Sequence, residues 1–419
     1  MITFDQILPK LKEVFSSFES LVSDLGEILI NRDLNGRVSL ILSDAHDSKN
    51  LVDFKTAVSQ AIAPHAAKEV LLFEEDMAFI KMIANCIPLE GFKQIFVIDR
   101  LVTEGSWLTI SEESTRAKRI VFFSIKGGVG RSTALAVTAW SLAEQGKKVL
   151  VLDLDLESPG LSSNLLPEDR RPSYGITDWL VEDLVDNGDL IFKDMVALSS
   201  LSRNGEIYVV PAHGRDSGEY VSKLGRVWMP KFNQGQRESW STRLERLITA
   251  LEEAYDFDVI LIDSRAGIDE VASACVTDLK ANLVLMFAIS GEQTWSGYGV
   301  LFRYWLQSGV ISQIRERLRI VGAMVPTERK KDYMDDLIEE AQMLFTRFVY
   351  DEISPGEFDG FNFDEEDQSA PHYPWVIEWH TGFNALASIH NKLDAIDPKA
   401  VELVFGDLIT NLLGEVDAV

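Results

Sequence analysis

Ser124-Ile125-Lys126-Gly127-Gly128-Val129-Gly130-Arg131-Ser132-Thr133 stands between an apolar run at residues 120–123 and a helical pattern that begins at Ala134. A buried strand feeding a glycine-rich turn that opens a helix is the local geometry of a phosphate cradle. Backbone N–H groups converge on the anion, and the helix N-terminus adds partial positive charge. The three glycines let the backbone approach closely, where a side chain would block the ligand. Ser132 stands where a hydroxyl ligates the Mg²⁺ that accompanies a nucleoside triphosphate, and Arg131 stands where the P-loop pattern carries lysine.

Working outward, residues 148–152 read as the next strand, followed by Asp153-Leu154-Asp155-Leu156-Glu157-Ser158-Pro159-Gly160. Two carboxylates at alternate positions where a strand runs out project from the sheet's C-terminal edge, the edge on which open α/β sheets bind ligands. A second apolar strand leads into Asp263-Ser264-Arg265-Ala266-Gly267, a terminal carboxylate and a glycine within five residues. The strands alternate with helices, which predicts a doubly wound, mostly parallel sheet covered on both faces.

On these three motifs the sequence resembles the ParA/MinD family of P-loop ATPases, whose deviant Walker A loop begins K-G-G-x-G. The resemblance covers residues 118–419. It implies that residues 126–133 (Lys126, Gly127, Gly128, Val129, Gly130, Arg131, Ser132, Thr133) bind nucleotide and that Lys126 reaches across a nucleotide-sandwich dimer. It further implies that Asp155, in switch I, orients or activates the attacking water, that Asp153 and Ser132 support Mg²⁺, and that Asp263 is the Walker B acid heading switch II. ATP and Mg²⁺ are the implied cofactors. The implied activity is slow ATP hydrolysis, switching an ATP-dependent homodimer and a protein partner that the sequence does not name. The sequence departs from the family at Arg131, in place of the second lysine, and at Arg265, in place of a proline whose fixed φ would stiffen the turn. Adenine recognition near Pro326-Thr327 is inherited from the resemblance, since no asparagine stands at that strand end. Tyr373-Pro374-Trp375 resembles the family's late proline loop that flanks the base.

Upstream, residues 1–116 read as a smaller N-terminal α/β domain, with residues 103–118 as a linker around Trp107 and residues 117–419 as the ATPase domain. Apolar residues at 4, 7, 8, 11, 14, 15, 18 and 21 predict a helix, with Thr3 and Gln6 as a capping box and Pro9 disfavouring helix beyond the first turn. Strands are predicted at 38–42, 70–73 and 94–98, with helices at 54–62 and 77–87. No catalytic signature is legible in this domain. Asp99 and Arg100, at a strand end, read as a surface ion pair.

The 419 residues carry 66 acids against 40 bases, a formal charge of −26. That balance argues against nucleic acid or anionic membrane as the working surface. Cys86 and Cys275 are the only cysteines, too few for a disulfide framework or a paired-cysteine zinc site, and read as free thiols. With no apolar run near the ~18 residues of a spanning helix and no signal-peptide pattern, the expected location is cytoplasmic.

Residues 165–204 read as a polar excursion, and His213 in Pro211-Ala212-His213-Gly214 as a structural loop histidine. The acidic stretch 351–370, with Phe358, Phe361 and Phe363, reads as a solvated loop, a partner-docking segment being the alternative. The last helix, apolar at 401, 404, 405, 408, 409 and 412, lacks the basic face of a membrane-surface helix and is expected to lie on the domain. A rival to the switching ATPase is a non-hydrolysing nucleotide-binding interaction module, with Arg131 marking lost catalysis. One form of it would be a regulatory component of a bacterial defence operon.

Overall fold

The computed structural model describes residues 2–43, 49–83, 86–100, 107–201, 203–233, 236–352, 360–384 and 398–418. The chain divides into two compact units, Met1–Glu104 and Gly105–Val419. The division falls before Trp107 because the stretch read as linker is part of the second unit. The Trp107 ring packs 6.1 Å from Phe123 and 6.0 Å from Trp305, and its carbonyl accepts a hydrogen bond from Trp305 Nε1 at 2.8 Å.

In the first unit, strands β1 (Ile28–Arg32), β2 (Val38–Leu42), β3 (Ala66–Phe73), β4 (Cys86–Pro88) and β5 (Ile95–Asp99) form one sheet in the order β3-β2-β1-β5-β4. The central strand β1 was not foreseen, because five residues ending in Asn31-Arg32 offer too short an apolar run. The predicted helix at 77–87 stops at Ile83, and the rest of that stretch holds edge strand β4. The first helical pattern becomes a 3-10 turn, Phe4–Gln6, then helices Ile7–Ser17 and Glu19–Leu25, with the Thr3/Gln6 capping box formed. Pro9 falls in the first turn of Ile7–Ser17, where its missing N–H costs nothing. Ile7, Leu11 and Phe15 are buried on the face of that helix turned to the sheet. Asp99 pairs with Arg32 of β1, not with its neighbour Arg100, which instead donates to Asn31.

In the second unit β10 (Lys231–Asn233) and β11 (Gln236–Glu238) pair with each other, and the other strands are β6 (Lys118–Ser124), β7 (Lys148–Asp153), β8 (Ala197–Leu198), β9 (Glu206–Val210), β12 (Val259–Ala266), β13 (Leu283–Ala288), β14 (Leu318–Val325) and β15 (Trp375–Glu378). Among the described residues they form an eight-stranded sheet in the order β15-β14-β13-β6-β12-β7-β9-β8, parallel except where β8 meets β9. The predicted doubly wound sheet is therefore present. The chain leaves β6 in one direction for β7 and returns past it from β12 to β13, so the crevice beside β6 is a topological switch point, where such sheets bind ligands.

Apolar layers cover both faces. The last helix, Pro398–Asp417, buries Val401, Val404, Phe405, Leu408 and Leu412 against the sheet, each worth about 1.5–3 kcal/mol. Helix Trp240–Tyr255, capped by Ser239 accepting from Thr242 N at 3.2 Å, is bound to β6 through Arg119. That guanidinium is 1% exposed and donates to Glu252 at 2.8 Å and to the Leu279 carbonyl at 3.0 Å. The helix Lys330–Phe348, which carries Leu337, Ala341 and Phe345 into the core, was not foreseen.

Two expectations are corrected here. The excursion is not merely polar, since helix Ile176–Asp183 and its neighbours place Ile176, Trp179, Leu180, Ile191 and Met195 in the core. The acidic stretch is not a solvated loop in its described part. Phe361 and Phe363 pack on Tyr350, and Asp351 accepts from Arg315 and from Phe361 N. Phe358 lies outside the described residues.

Candidate functional site

Strand β6 ends at Ser124, and helix Arg131–Glu144 begins seven residues later with Gly130 at its N-cap. Gly128 and Gly130 have φ of +77° and +81°, which L side chains rarely adopt. A Cβ at Gly127 or Gly128 would meet nothing within 4 Å, so the loop faces open space. The backbone N–H groups of the loop and first helical turn border a cavity of about 490 Å³ with Ser132, Thr133, Asp155, Ser158 and Arg265. This is room enough for a triphosphate beside a helix N-terminus, and the cradle fits the anion expected from the sequence.

The two cations of the loop part company. Lys126 is exposed, with no ion pair among the described residues. Arg131 is 7% exposed and turned inward. Its Nε donates to Asp263 at 2.7 Å, one terminal nitrogen to Ser124 Oγ at 3.2 Å and the other to Asp155 at 3.3 Å. Burial works against its charge, yet Asp263, with Asp155 behind it, holds the guanidinium above its ordinary value. At Asp155 burial raises the carboxyl pKa, and the Arg131 charge offsets this only in part. Arg131 thus contacts carboxylates, where the sequence predicted a phosphate contact.

Asp153 and Asp263, at the ends of adjacent strands β7 and β12, are paired in register and buried at 0% and 1% exposure. Asp155 lies two residues past β7. With the Ser132 hydroxyl these are the hard oxygen donors that suit Mg²⁺. No group of three or more His, Cys, Asp or Glu side chains able to hold a metal occurs among the described residues. Ser132, Asp153, Asp155 and Asp263 are the residues that would hold a magnesium ion here, and phosphate and water would have to supply its other ligands.

The segment after Asp263 was expected to turn. Instead β12 bulges between Asp263 and Ala266 and stays paired with β6, Ala266 opposite Ser124, and Gly267 N donates to the Ser124 carbonyl at 2.9 Å. Gly267 then takes φ +107°. Arg265 points along the surface to Glu157 at 2.6 Å and Asp269 at 3.4 Å, joining the segment after β12 to the one after β7.

A second cavity of about 240 Å³ adjoins the loop at Gly128, Gly130 and Thr133 and is closed by Met324, Trp379, His380 and Phe383. Met324 has φ +55° in β14, rare for a non-glycine residue and found where backbone strain serves a site. The base-flanking role expected of residues 373–375 does not fit their positions. Trp375 is 6% exposed within β15, and Pro374 packs 3.3 Å from where a Cβ on Gly322 would lie. The residues beside the loop are those that follow β15, and Trp379 remains 43% exposed there. The signal in the sequence was a tryptophan directly after a short strand-like run. His213 Nδ1 contacts the Gly214 carbonyl at 2.7 Å and its ring packs on Tyr220, a structural setting. Cys275 is buried behind Asp263, and burial pushes its thiol pKa up.

The sheet order, the loop and the acids at two adjacent strand ends define a P-loop nucleotide-binding domain. Residues 117–301 match the family model described as AAA domain. Over 241 residues the chain is 27% identical to the septum site-determining protein MinD of Escherichia coli K12, covering 58% of this chain and 71% of that protein. Among solved structures, the MinD cell division protein of Aquifex aeolicus aligns with 72% of this chain and 99% of its own, at 17% identity and a TM-score of 0.42. The pNOB8 ParA bound to nonspecific DNA aligns with 72% of this chain and 97% of its own, at 17% identity and a TM-score of 0.44. Through its second unit the chain is similar to the ParA/MinD-type P-loop ATPases.

Proposed function

We propose that the second unit binds Mg²⁺-ATP, closes as a homodimer over two nucleotides, and by slow hydrolysis controls a protein partner. The observation that carries this reading is the division of labour between the two loop cations. Arg131 is buried in ion pairs, while Lys126 stands exposed at the start of the loop. In a monomer an exposed ammonium is solvated and nearly inert. Against a partner subunit's triphosphate it leaves water and meets concentrated charge, where a positioned cation stabilises the transferring phosphoryl group.

In this reading the N–H groups of residues 127–133 bind the phosphates and Asp155 orients the attacking water. Ser132, Asp153 and Asp263 hold Mg²⁺, which neutralises phosphate charge. The cavity closed by Met324, Trp379 and Phe383 takes the base. A net charge of −26 favours a protein over nucleic acid or membrane as partner. No helix among the described residues is long and apolar enough to cross a membrane. Because a ParA is described with nonspecific DNA, a salt titration of duplex binding belongs with the test, a steep slope counting neutralised phosphates.

The deciding experiment is sedimentation velocity with saturating ATP and Mg²⁺. Wild type dimerises, Lys126→Ala binds nucleotide but stays monomeric, and Asp155→Ala accumulates dimer by slowing water attack. A wild type that stays monomeric, or a Lys126→Ala variant that dimerises normally, rules the mechanism out.

The Arg131–Asp263 pair supports a second reading, a nucleotide-binding module that does not hydrolyse, because it ties up the acid assigned to Mg²⁺. Single-turnover hydrolysis measured beside nucleotide affinity separates the two.

A further inference from the structure

We propose that Tyr220, in the segment between β9 and β12, is a positioning residue for the Asp155 loop. The inference rests on the reading of Asp155 given above. It starts from a hydrogen bond that reaches across a large gap in sequence, the Tyr220 hydroxyl donating to the Leu156 carbonyl at 2.5 Å. Leu156 follows Asp155, so this bond fixes the peptide unit next to the carboxylate assigned to the water.

Leu154 and Leu156 are buried in the core and Glu157 pairs with Arg265 at 2.6 Å, but few other hydrogen bonds fix the backbone of the loop. Leu154 N donates to the Asp263 carbonyl at 3.0 Å, and Leu156 N to the Leu154 carbonyl at 2.8 Å. Asp155 itself accepts from Ser158 N at 3.3 Å and from Arg131 at 3.3 Å. An incoming phosphate competes for Arg131, and when it succeeds the side-chain restraint on Asp155 weakens. The Tyr220 bond does not depend on charge and survives that exchange.

Tyr220 can act as a strut because its own base is rigid. Asp178, 5% exposed, accepts from Gly175 N at 2.8 Å, Gly214 N at 3.2 Å and Lys223 Nζ at 2.7 Å. Lys223 lies three residues after Tyr220, so one buried carboxylate ties the Tyr220 helix, Tyr220–Leu224, to the turn that leaves β9. The packing there leaves no slack. A Cβ on Gly175 would sit 2.6 Å from the Pro211 carbonyl oxygen, and one on Gly214 would sit 2.0 Å from that of Ser173. The Tyr220 ring rests edge-on against His213, centroids 5.1 Å apart. Burial, with the negative charge of Asp153 and Asp155 nearby, raises the phenol pKa and keeps it a proton donor.

The test is Tyr220→Phe, which removes one oxygen and keeps the ring contact. Amide hydrogen exchange of the ligand-free protein should speed about fivefold across residues 154–158, the size expected for one neutral hydrogen bond, and stay unchanged in β12 and β13. Nucleotide affinity and KM should hold within about twofold while kcat falls roughly five- to tenfold, since the bond orients the reacting loop and does not bind substrate. Lys223→Gln, which loosens the base without touching Tyr220, should speed the same amides. Unchanged exchange at 154–158 in Tyr220→Phe overturns the proposal, as does an affinity that falls in step with turnover. If wild type hydrolyses nothing, the ATPase reading fails while the exchange measurement still decides whether Tyr220 holds the loop.

Discussion

Arg131 and Asp263, 132 residues apart in sequence, meet in a buried ion pair of 2.7 Å beside the cavity at the glycine-rich loop. Both groups are more than nine-tenths buried, so each would be costly to leave alone. Breaking such a pair from one side costs about 3–5 kcal/mol, because the partner charge stays behind uncompensated.

Arg131→Ala should therefore lower the unfolding free energy of the ligand-free protein by about 3 kcal/mol, and adding Asp263→Asn should recover much of it. A double-mutant cycle by denaturant unfolding gives the coupling, expected above about 1 kcal/mol. The same pair makes a metal prediction. With Arg131 in place, Asp155 and Asp263 already have a counter-charge, so Mn²⁺ should not bind the nucleotide-free wild type. In Arg131→Ala the freed carboxylates should bind it measurably by calorimetry.

The P-loop, the acid-bearing strand ends and the alternation of β6, β7, β9, β12, β13 and β14 with helices were legible because each is local. A strand, its turn and the next helix signal their identity within some fifteen residues, and phosphate chemistry dictates the glycines between them. What stayed hidden depends on tertiary contact. Nothing in the sequence around Tyr220 says that its hydroxyl meets Leu156, 64 residues away. Strand β15 has four residues at a sheet edge directly after a proline, so Trp375 looked like loop and Trp379 passed unnoticed. Arg131 was legible as a departure from lysine, but its inward turn follows from buried acids on β12 and past β7, whose proximity only the sheet order creates.

Asp278 gives stability a pH dependence of defined sign. It ends the π-helical turn Ala274–Asp278, and burial, opposed by hydrogen bonds from Ser241 and Thr277, raises its pKa to about 6. The folded state thus holds a proton that the unfolded chain releases near the ordinary carboxyl value. The contribution is full below that value and is lost as pH rises through about 6. Asp278→Asn should raise the Tm by a few degrees at pH 8 and leave it nearly unchanged at pH 4, on the scale of ~1 kcal/mol for several degrees. Thermal unfolding across that range checks it.

Gly297 sets how closely its helix, Glu292–Gln307, approaches the start of the phosphate loop. A Cβ there would lie 2.4 Å from Ile125 Cγ2 and 3.3 Å from Ile125 Cβ. Ile125 branches at Cβ and is stiff at χ1, so it yields only by moving its backbone, and Lys126 is the next residue. Gly297→Ala gains up to about 1 kcal/mol of helix propensity but displaces the loop. Nucleotide affinity should fall about tenfold while the Tm changes little. Adding Ile125→Ala should restore the affinity, measured with a fluorescent nucleotide. An unchanged affinity in Gly297→Ala would mean that the helix retreats instead of the loop.

Trp379 is the remaining test of where the base lies. A large aromatic ring left 43% exposed beside a cavity that shares Gly128, Gly130 and Thr133 with the glycine-rich loop offers a face on which a base can stack. Base–aromatic stacking is worth about 1–3 kcal/mol and tolerates any purine, because every base has a π-face. Trp379→Ala should weaken ATP and GTP alike by roughly ten- to a hundredfold, and Trp379→Phe should keep most of the affinity. Inorganic triphosphate, which has no base, should bind wild type and Trp379→Ala equally. The neighbouring Glu378 already pairs with Lys330 at 2.6 Å, so its carboxylate is not free to select guanine by accepting from the ring amide. If Trp379→Ala leaves ATP affinity intact, the base lies elsewhere along the sheet edge. If it weakens triphosphate as much as ATP, the tryptophan supports the phosphate loop through Gly130 and is not a base platform.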